Sequence, residues 1–465
     1  MDVRSVEFIT AACAAQLRQG SPAARVTRVC TDSRQAQPGD LFVALAGERF
    51  DGHDFVASVA RTVAAVLVQR GKCAATLPET CAVLEVENTR QALGRLAQRY
   101  RQDFSLPVLA VAGSNGKTTT KELLAAVLGK GLKTLRSEAS FNNDIGVPLT
   151  LLNLESTHQA AVLETGTNHP GELGPLLQMI APTHGVLTSI GREHLEFFGD
   201  LSGVTQEEGC LAEAVPAGGA LFVNGDEECT ATIISRTRAR VVRVGVKAGN
   251  DWRLRSVRLG RQGTTFRLES PAAEFDGEYR LKLLGRHQAV NALFALAAAA
   301  ELGLSRTEAQ AGLAECQPAK MRLQLWNLHG VHVLDDAYNA NADSMAAALQ
   351  TLKELPCRGR RVAVLGDMAE LGAHSPAAHE EVGRRAAELG VSQLFAVGKM
   401  APVVAQAARN AGLNRVLEFA EVEAAAAAVK SFIKAGDVLL LKASRIMRLE
   451  RITELLRRAE NGKTT

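Results

Sequence analysis

The sequence predicts an α/β protein built from three domains, and three observations lead to that fold class. The chain has 465 residues, too many for a single hydrophobic core. Short apolar runs alternate with helical patterns over most of its length, which is typical of parallel sheets. A glycine-containing turn joins one such run to a helix at residues 107–122, as in phosphate-binding loops. We therefore expect a small mixed α/β domain (1–103), a central P-loop domain whose mostly parallel sheet carries antiparallel strands (104–316), and a Rossmann-like domain (317–465).

The composition is that of a globular protein of the cytoplasm. Hydrophobic residues make up 46% of the chain and charged residues 22%, which are ordinary values. The net charge is only +3 and aromatic residues make up 4% of the chain. We therefore expect no nucleic-acid-binding surface, which would need a basic face and stacking rings. The eight cysteines form no C-x-x-C pair, so we expect reduced thiols and no zinc site. No apolar run is long enough for a signal peptide or for membrane insertion.

The first region is predicted to mix strands and helices around one polar segment. Strands are predicted near residues 26–30, 41–45, 64–68 and 83–86, and a helix at 89–101. At the end of the first of these strands stands Thr31-Asp32-Ser33-Arg34. Loop hydroxyls, an Asp and an Arg at a strand end could bind a small polar ligand. A plain polar turn is an equally good interpretation of the same residues.

The segment that organises the chain is Gly-x-x-Gly-Lys-Thr at residues 113–118. A buried strand is predicted at 108–111, and the helical pattern begins at Lys117. Two glycines let backbone amides point inward, Lys117 supplies a cation, and Thr118 can reach a magnesium ion. The alternative is an ordinary turn with a surface lysine, but the strand before and the helix after favour nucleotide binding. A near copy at residues 461–465 precedes no helix, and we expect a frayed tail there.

After this loop the parallel sheet is predicted to continue and then to change direction. Buried strands are predicted at residues 160–165, 185–190 and 220–224, a hairpin around the turn at 260–263, and a buried helix at 291–302. The hairpin should add antiparallel strands to the parallel sheet. Ligands of such sheets bind at the carboxyl ends of the strands.

Polar residues are placed where this sheet would bind a ligand. Asn142 and Asn143 lie in a turn before a Gly and a Pro, Glu164 and Thr165 stand at the end of the second strand, and His194 follows the third. A carboxylate beside the phosphate loop is well placed to hold a metal ion. Each residue alone could equally be a satisfied surface group or part of an asparagine-rich turn.

The last region repeats the alternation of strands and helices. Strands are predicted near residues 331–334, 362–365, 394–397, 416–419 and 438–441, with helices between them that include 424–428. Regular alternation of this kind over about 140 residues is typical of a Rossmann-like open sheet. A substrate held between the modules, with domain closure during the cycle, is the expected arrangement.

Several motifs together resemble the Mur ligases, the ATP-dependent amide-forming enzymes of peptidoglycan assembly, nearly from end to end. The residues that carry this resemblance are Thr31-Asp32-Ser33-Arg34 with 38–45, the loop 113–119, the asparagine segment 141–148, Gly285-Arg286-His287 with Asn291, the segment 335–341 with Asp343-Ser344-Met345, and 366–372. The segments 335–341 and 366–372 are similar to those of the members that add a dipeptide rather than a single amino acid.

The resemblance implies an activity, its cofactors and its partners. It implies that ATP and Mg²⁺ are used to join D-alanyl-D-alanine to UDP-N-acetylmuramoyl-tripeptide through an acyl phosphate, in peptidoglycan precursor synthesis. Domain 1–103 would bind the UDP-substrate, 104–316 ATP, and 317–465 the dipeptide, in a protein that we expect to be a monomer. The open alternatives are another ligase of the superfamily, such as a folylpolyglutamate or amino-acid-adding enzyme, and a relative that lost turnover.

The resemblance also implies roles for individual residues. Catalysis is assigned to Lys117, Glu164, His194 and Arg322. ATP binding is assigned to Gly113, Ser114, Asn115, Gly116, Lys117, Thr118, Thr119, Asn291, Arg322 and Asp336. Substrate binding is assigned to Ser33, Arg34, Asn142, Asn143, Thr165, Tyr338, Asn339 and Asn341. Metal binding is assigned to Thr118, Glu164, His194 and Glu208.

Three residues depart from the family pattern. Ala342 and Ala443 replace a usual proline and glycine, and an alanine where φ must be positive would carry strain. Glu208 stands where the family has a lysine that is carbamylated to bind metal. A glutamate offers the same charge and hard-oxygen chemistry from a shorter side chain. We expect either a helix closer to the metal or a bridging water; the alternative is a solvated carboxylate, with the metal held by Glu164 and His194 alone.

Overall fold

The computed structural model of the chain describes residues 1–47, 49–73 and 76–461, and it confirms the predicted α/β class. Three large sheets of five, nine and six strands follow one another along the chain. Among the described residues, no helix combines the length and apolarity that crossing a bilayer requires. Residues 462–465 of the predicted tail lie outside the description. The exact domain boundaries stay predictions.

The N-terminal region forms the mixed α/β unit that its pattern predicts. Its elements are β1 (Arg4–Ser5), α1 (Val6–Cys13), β2 (Gln16–Gln19), β3 (Arg25–Val26), β4 (Arg28–Cys30), β5 (Asp40–Val43), α2 (Val56–Val59), β6 (Ala65–Gln69), β7 (Ala82–Val86) and α3 (Thr89–Arg101). The sheet order is β2-β7-β6-β5-β4, with only β2 antiparallel to its neighbour. Helix α3 attaches this unit to the next, because the buried Tyr100 hydroxyl donates to the Leu154 carbonyl at 2.7 Å.

The central region carries a nine-stranded sheet of order β16-β15-β14-β13-β12-β11-β8-β10-β9. Its elements are β8 (Val108–Ala112), α4 (Lys117–Leu128), β9 (Thr134–Arg136), α5 (Gly146–Leu151), β10 (Ala160–Glu164), α6 (Leu173–Ile180), β11 (His184–Leu187), α7 (Leu195–Phe198), α8 (Leu201–Glu208), α9 (Cys210–Ala214), β12 (Ala220–Asn224), α10 (Thr230–Ile234), β13 (Arg240–Gly245), β14 (Trp252–Gly260), β15 (Gly263–Glu269), β16 (Gly277–Leu281), α11 (Arg286–Glu301) and α12 (Arg306–Glu315). Strands β14, β15 and β16 pair antiparallel and extend the parallel part, as predicted.

The C-terminal region forms an open six-stranded sheet of order β17-β18-β22-β19-β20-β21. Its elements are β17 (Gln324–Leu328), β18 (Val331–Asp335), α13 (Ala342–Glu354), β19 (Arg361–Gly366), α14 (Ser375–Glu388), β20 (Gln393–Val397), α15 (Ala401–Asn410), β21 (Val416–Phe419), α16 (Val422–Phe432), β22 (Val438–Lys442) and α17 (Glu450–Asn461). Only the edge strand β17 is antiparallel. The Rossmann-like prediction is therefore confirmed, with one added edge strand.

One predicted strand is shorter than its apolar pattern suggests. The run at 185–190 ends as strand β11 at Leu187. The following residues turn toward the phosphate loop instead, because the Ser189 carbonyl accepts a hydrogen bond from the Ser114 amide at 2.7 Å. The prediction of a strand to residue 190 was wrong, since periodicity does not report a hydrogen bond to a distant loop.

Candidate active site

The phosphate loop occupies the turn between β8 and α4. Gly113 and Gly116 both adopt positive φ, 113° and 90°, which side chains with a Cβ seldom tolerate. A Cβ on Gly113 would also lie 2.6 Å from the Thr188 hydroxyl oxygen, and one on Gly116 would lie 2.9 Å from the Asn291 amide oxygen. Glycine is therefore required at both positions by conformation and by close neighbours. Helix α4 starts directly behind the loop and points its free amides into a cavity.

Lys117 lies at the centre of a group of acidic side chains. Its ammonium donates to the Gly113 carbonyl and lies 3.7 Å from Glu193 Oε2. Burial alone lowers the pKa of this ammonium, but the nearby carboxylates of Glu193, Glu208 and Glu164 outweigh burial and raise the pKa. Lys117 is therefore held as a cation at the mouth of the loop, where a polyphosphate needs one.

Glu164 stands at the end of β10, beside the loop, as its position in the sequence predicts. Its Oε1 accepts hydrogen bonds from the Thr118 hydroxyl at 3.2 Å and from the Asn142 amide at 3.0 Å. Its Oε2 is buried and has no hydrogen-bond partner among the described residues. Thr118, Asn142 and Glu164 are far apart in the sequence, and the structure brings them together at the Glu164 carboxylate.

Glu208 is buried, which contradicts the alternative of a solvated helix carboxylate. Only 1% of the residue is exposed, at the end of α8. Its Oε2 accepts a hydrogen bond from the Gly113 amide at 2.7 Å, so the helix does approach the phosphate loop. Burial raises the pKa of Glu208 to about 7, although Lys117 acts in the opposite direction. The sequence alone could not reveal the burial, because the two residues that precede Glu208 in α8, Gln206 and Glu207, are polar.

The donor atoms around the loop suit a hard cation. Glu164, Glu193 and Glu208 each present a buried carboxylate oxygen without a partner in the described part of the chain, and unpaired buried carboxylates are costly unless a cation joins them. Within residues 1–47, 49–73 and 76–461, no three His, Cys, Asp or Glu side chains converge closely enough to hold a metal by themselves. Mg²⁺ is commonly held by one or two carboxylates together with phosphates and waters. The residues therefore fit a magnesium ion that arrives with a phosphorylated ligand.

The asparagine segment forms one wall of the cavity, and its two asparagines do different things. Asn143 Oδ1 accepts from the Gly146 amide at 2.9 Å, so this side chain caps the start of α5. Asn142 reaches Glu164 instead. Thr165, which we assigned to substrate, is buried and donates to the Val111 carbonyl at 3.1 Å. The structure therefore does not bring Thr165 into the cavity.

The C-terminal region supplies the opposite wall. The Arg322 guanidinium lies over the Tyr338 ring, with its central carbon 4.2 Å from the ring centroid. The Tyr338 hydroxyl donates to the Ser140 hydroxyl at 3.1 Å, across the cavity. The Asn341 amide donates to the Asn115 side-chain oxygen at 3.0 Å, directly on the phosphate loop. These contacts bring the assigned residues of the third region to the nucleotide loop.

Residues 192–194 connect the cavity to the C-terminal region by ion pairs. Arg192 pairs with Asp343 at 2.6 Å and with Glu381 at 2.7 Å. His194 has a left-handed backbone, φ 48°, and its Nδ1 lies 2.6 Å from Glu370 Oε2. His194 lowers the pKa of Glu370. The segment after β11 therefore touches both the phosphate loop and the C-terminal sheet.

A second cavity of about 260 Å³ continues from the loop on the other side. Asn291 and Asp336 line it, as expected for residues assigned to ATP. Asp336 pairs with the buried Lys442 at 2.5 Å. His287, also in the lining, is partly exposed, and its burial within the protein lowers its pKa to about 4. The neutral imidazole and the satisfied carboxylate leave this cavity polar without a large net charge.

The cavity in front of the phosphate loop has a volume of about 640 Å³. It is lined by most of the assigned residues: Ser114, Asn115, Gly116, Lys117, Thr118, Thr119, Asn142, Asn143, Glu164, His194, Arg322, Tyr338, Asn339 and Asn341. Ser33 and Arg34 lie elsewhere, in a 3₁₀ turn after β4, where Arg34 is exposed and pairs with Asp32 at 2.7 Å. Ala342 begins α13, where a proline would also fit. Ala443 is not among the described residues with positive φ, so the expected strain is absent.

Sequence reasoning missed four charged residues of this site: Arg192, Glu193, Glu370 and Lys442. Glu193 lines the cavity and is 7% exposed. Its only sequence signal was its position next to His194. Lys442 ends a buried apolar strand, β22, and a lysine there is a signal of a buried partner that could have been used.

Comparisons with known proteins agree with this geometry. Three family models match the chain: the Mur ligase family catalytic domain at residues 25–101, the Mur ligase middle domain at 111–299, and the Mur ligase glutamate ligase domain at 321–445. The UDP-N-acetylmuramoyl-tripeptide–D-alanyl-D-alanine ligase of Escherichia coli is 38% identical, over 93% of this chain and 94% of that protein.

Solved structures extend the comparison to the fold. A crystal structure of MurF from Acinetobacter baumannii superposes with a TM-score of 0.88 at 32% identity, covering 98% of this chain and 99% of that one. The MurF ligase of Thermotoga maritima, solved in complex with ADP, gives a TM-score of 0.81 at 26% identity, covering 94% and 99%. With a phosphate loop, a carboxylate cluster and a C-terminal wall arranged around one cavity, the chain belongs to the Mur ligase family.

Proposed function

We propose that the chain is an ATP-dependent ligase that joins D-alanyl-D-alanine to UDP-N-acetylmuramoyl-tripeptide in peptidoglycan precursor synthesis. The observation that carries the proposal is the single cavity of about 640 Å³ where the phosphate loop faces residues of the asparagine segment and of the C-terminal wall. An amide ligase must bring a γ-phosphate, a carboxylate and an amine together, and three separate walls around one cavity support that. The relatives named above carry this activity in their names.

The proposed reaction asks the protein to bring two anions into contact. The carboxylate of the tripeptide attacks the γ-phosphate of ATP, which gives an acyl phosphate and releases ADP. The dipeptide amine then attacks the acyl carbon, loses a proton and displaces inorganic phosphate, which leaves the amide. Preorganised cations are the groups that stabilise such a transfer. Lys117, on the loop, and Arg322, from the opposite wall, face the same cavity and provide this charge. Arg322 is held in place by the Tyr338 ring.

Magnesium would be held by Thr118, Glu164, His194 and Glu208 together with the nucleotide and water. When bound it would supply positive charge beside the transferring phosphoryl group. Thr118 and Asn142 orient the Glu164 carboxylate through its Oε1, which leaves Oε2 for the ion. Glu208 fixes the Gly113 amide with one oxygen and keeps the other unpartnered among the described residues.

The three regions are proposed to divide the substrates. Residues 1–103 bind the UDP end through Ser33 and Arg34, residues 104–316 bind ATP, and residues 317–465 bind the dipeptide and close on ATP. We propose a monomer as the active form. The 640 Å³ cavity and its 260 Å³ extension share Asn115, Gly116 and Arg322, so one ligand can span both.

The experiment that tests the proposal is ADP release by the purified enzyme with UDP-N-acetylmuramoyl-tripeptide and a panel of amines. We expect release with D-alanyl-D-alanine, and little with single amino acids or with no amine. Release with a single amino acid or with folate and glutamate would favour another ligase of the superfamily. Binding of nucleotide and UDP-substrate without release under any condition would favour a relative that has lost turnover.

A further inference from the structure

A fully buried lysine one turn beyond the phosphate loop has no part in the mechanism described so far. Lys121 lies on α4 with 0% of its surface exposed. Its ammonium donates to the carbonyls of Ser137 at 2.9 Å and Ala139 at 2.6 Å, and it pairs with Glu122 at 2.8 Å. Burial of a lysine is costly unless each of its donors is satisfied. The three contacts satisfy all three donors of the ammonium.

The partners of Lys121 belong to the segment that forms the wall of the active site. The Ser137 hydroxyl accepts from the Glu164 amide at 3.1 Å. Ser140 and Asn142 follow within five residues, and they contact Tyr338 and Glu164 respectively. A cation on the nucleotide helix therefore holds the backbone that carries the groups facing the other substrates.

The backbone at this contact is in a conformation that needs support. Ala139 has φ 45°, in the left-handed region, where the backbone of a non-glycine residue is strained. In that conformation its carbonyl reaches the Lys121 ammonium. Glu122 adds a second link, because it pairs with Arg136 at the start of the same segment as well as with Lys121. The segment is thus fastened to α4 at three successive points.

We propose that Lys121 is a positioning residue that couples nucleotide binding on α4 to the placement of Asn142 and Glu164, and so sets the geometry for phosphoryl transfer. The inference rests on the proposed ligase function for its kinetic part only. When the loop binds phosphates, movement of α4 is transmitted to residues 137–142 through the buried ammonium of Lys121, which water does not reach. Lys121 touches neither substrate nor nucleotide-facing atoms, so its effect is on position.

The test compares Lys121→Met with Lys130→Met. Methionine keeps the apolar stem of Lys121 and removes the charge. Lys130 lies just past the end of the same helix and pairs with Glu315, away from the segment. We expect Lys121→Met to bind ADP within about threefold of the parent by calorimetry, while kcat falls about 100-fold, the scale of a misplacement of about 1 Å. The Lys130 variant should match the parent in both.

Two further measurements separate positioning from stability. In a double-mutant cycle, adding Asn142→Ala to Lys121→Met should lower kcat little further than Lys121→Met alone, because both residues act through the segment 137–142. Amide hydrogen exchange at residues 137–142 should be at least about tenfold faster in Lys121→Met with ADP bound. The exchange measurement needs no turnover, so it reports on Lys121 even if the parent enzyme fails to ligate D-alanyl-D-alanine.

Several outcomes would overturn the inference. The first is a folded Lys121→Met enzyme with parental kcat. The second is a double variant with Asn142→Ala whose loss in kcat is the product of the two single losses. The third is unchanged amide exchange at residues 137–142. If Lys121→Met does not fold, Ser137→Ala removes the hydroxyl that accepts from Glu164 and leaves Lys121 in place. We expect that variant to keep ADP affinity and to lose about tenfold in kcat; a parental kcat would contradict the coupling.

Discussion

At the scale of single residues, the site is an arrangement of more carboxylates than cations. Glu164, Glu193 and Glu208 surround Lys117, and each keeps an oxygen without a partner among the described residues. A polyphosphate would be repelled by such a cluster alone. We propose that ATP brings its own divalent cation and so balances this charge, and that the free enzyme binds the metal complex of the nucleotide rather than the bare anion.

The first prediction concerns the loop lysine. Lys117→Ala should reduce ligation at least 100-fold while the thermal unfolding midpoint stays within a few degrees of the parent, because removing one preorganised donor costs about 3 kcal/mol or more in the transition state. Lys130→Ala, the matched change beyond the end of the same helix, should have little effect. A folded Lys117→Ala enzyme with the parental rate would refute the nucleotide-loop assignment.

The second prediction concerns the residue that replaces the family lysine. Glu208→Gln keeps an oxygen to accept from the Gly113 amide and removes only the charge. We expect activity to fall and the Mg²⁺ concentration for half-maximal rate to rise, while bicarbonate has no effect on the parent. The exposed Glu213, paired with Arg236, gives the control Glu213→Gln. Normal turnover of Glu208→Gln at low Mg²⁺ would show that its carboxylate does not serve the metal.

The third prediction is a pH dependence of stability from His287. Its pKa is about 4 in the folded protein and about 6.5 when unfolded, so between these values the unfolded chain binds more protons. Stability is therefore unaffected above about pH 6.5 and decreases as the pH falls, by about 2 kcal/mol at pH 5. Urea unfolding at pH 7.5 and pH 5 should show a smaller loss for His287→Gln. The same loss as in the parent would exclude His287 as the cause, and exposed His329→Gln is the control.

At the scale of elements, the sequence predicts structure that follows from local patterns and misses contacts between residues that are far apart in the chain. Strand–turn–helix at residues 108–128 was found because periodicity changes there, and Glu164 and His194 were found because parallel strands end at one edge. Glu193 was not found, because its place in the site depends on its contact with Lys117, which lies on another loop. The burial of Glu208 was missed for the same reason: the amide that it accepts from lies 95 residues away.

The fourth prediction belongs to the 3₁₀ turn Ser33–Gln35 of the first region. Arg34 is exposed, and within the described part of the chain its guanidinium pairs with Asp32 alone, so Arg34→Ala should leave the fold intact. We expect it to raise KM for the UDP-substrate about tenfold or more, as loss of one charge-assisted hydrogen bond would, with KM for D-alanyl-D-alanine nearly unchanged. Arg18→Ala, on an exposed side chain that pairs with Glu85, is the control. Equal changes in both KM values would argue against a separate role for the first region.

At the scale of the whole molecule, the site exists only while the C-terminal sheet is docked on the central one. Docking combines a hydrophobic cluster, to which Leu195 of the central region and Leu371 of the C-terminal region both belong, with polar contacts. The polar contacts are Arg192 with Asp343 and Glu381, Tyr338 with Ser140, and Asn341 with Asn115. Polar contacts between partly exposed groups are individually weak. The polar part of this interface can therefore break at a modest cost, which suits the domain closure that we propose for the cycle.

The fifth prediction tests this docking. Arg192→Ala removes two ion pairs at once, and we expect a larger radius of gyration by small-angle X-ray scattering and a several-fold lower kcat. Salt at about 1 M should produce a similar expansion in the parent, because the Debye length then falls to about 3 Å, close to the N–O distances of these partly exposed pairs. Arg384→Ala, on α14 and paired within the same helix to Glu388, is the control. An unchanged radius for Arg192→Ala would mean that other contacts hold the closed form.

The C-terminal wall also has a consequence for the way a turnover ends. Asp336, Lys442 and Ser344 line the smaller cavity, while Tyr338 and Asn341 cover the larger one. A nucleotide that occupied both cavities would therefore contact the same C-terminal residues that complete the site. We therefore expect movement of the C-terminal unit to accompany release of spent nucleotide, and the rate of repeated cycles to fall as solvent viscosity rises.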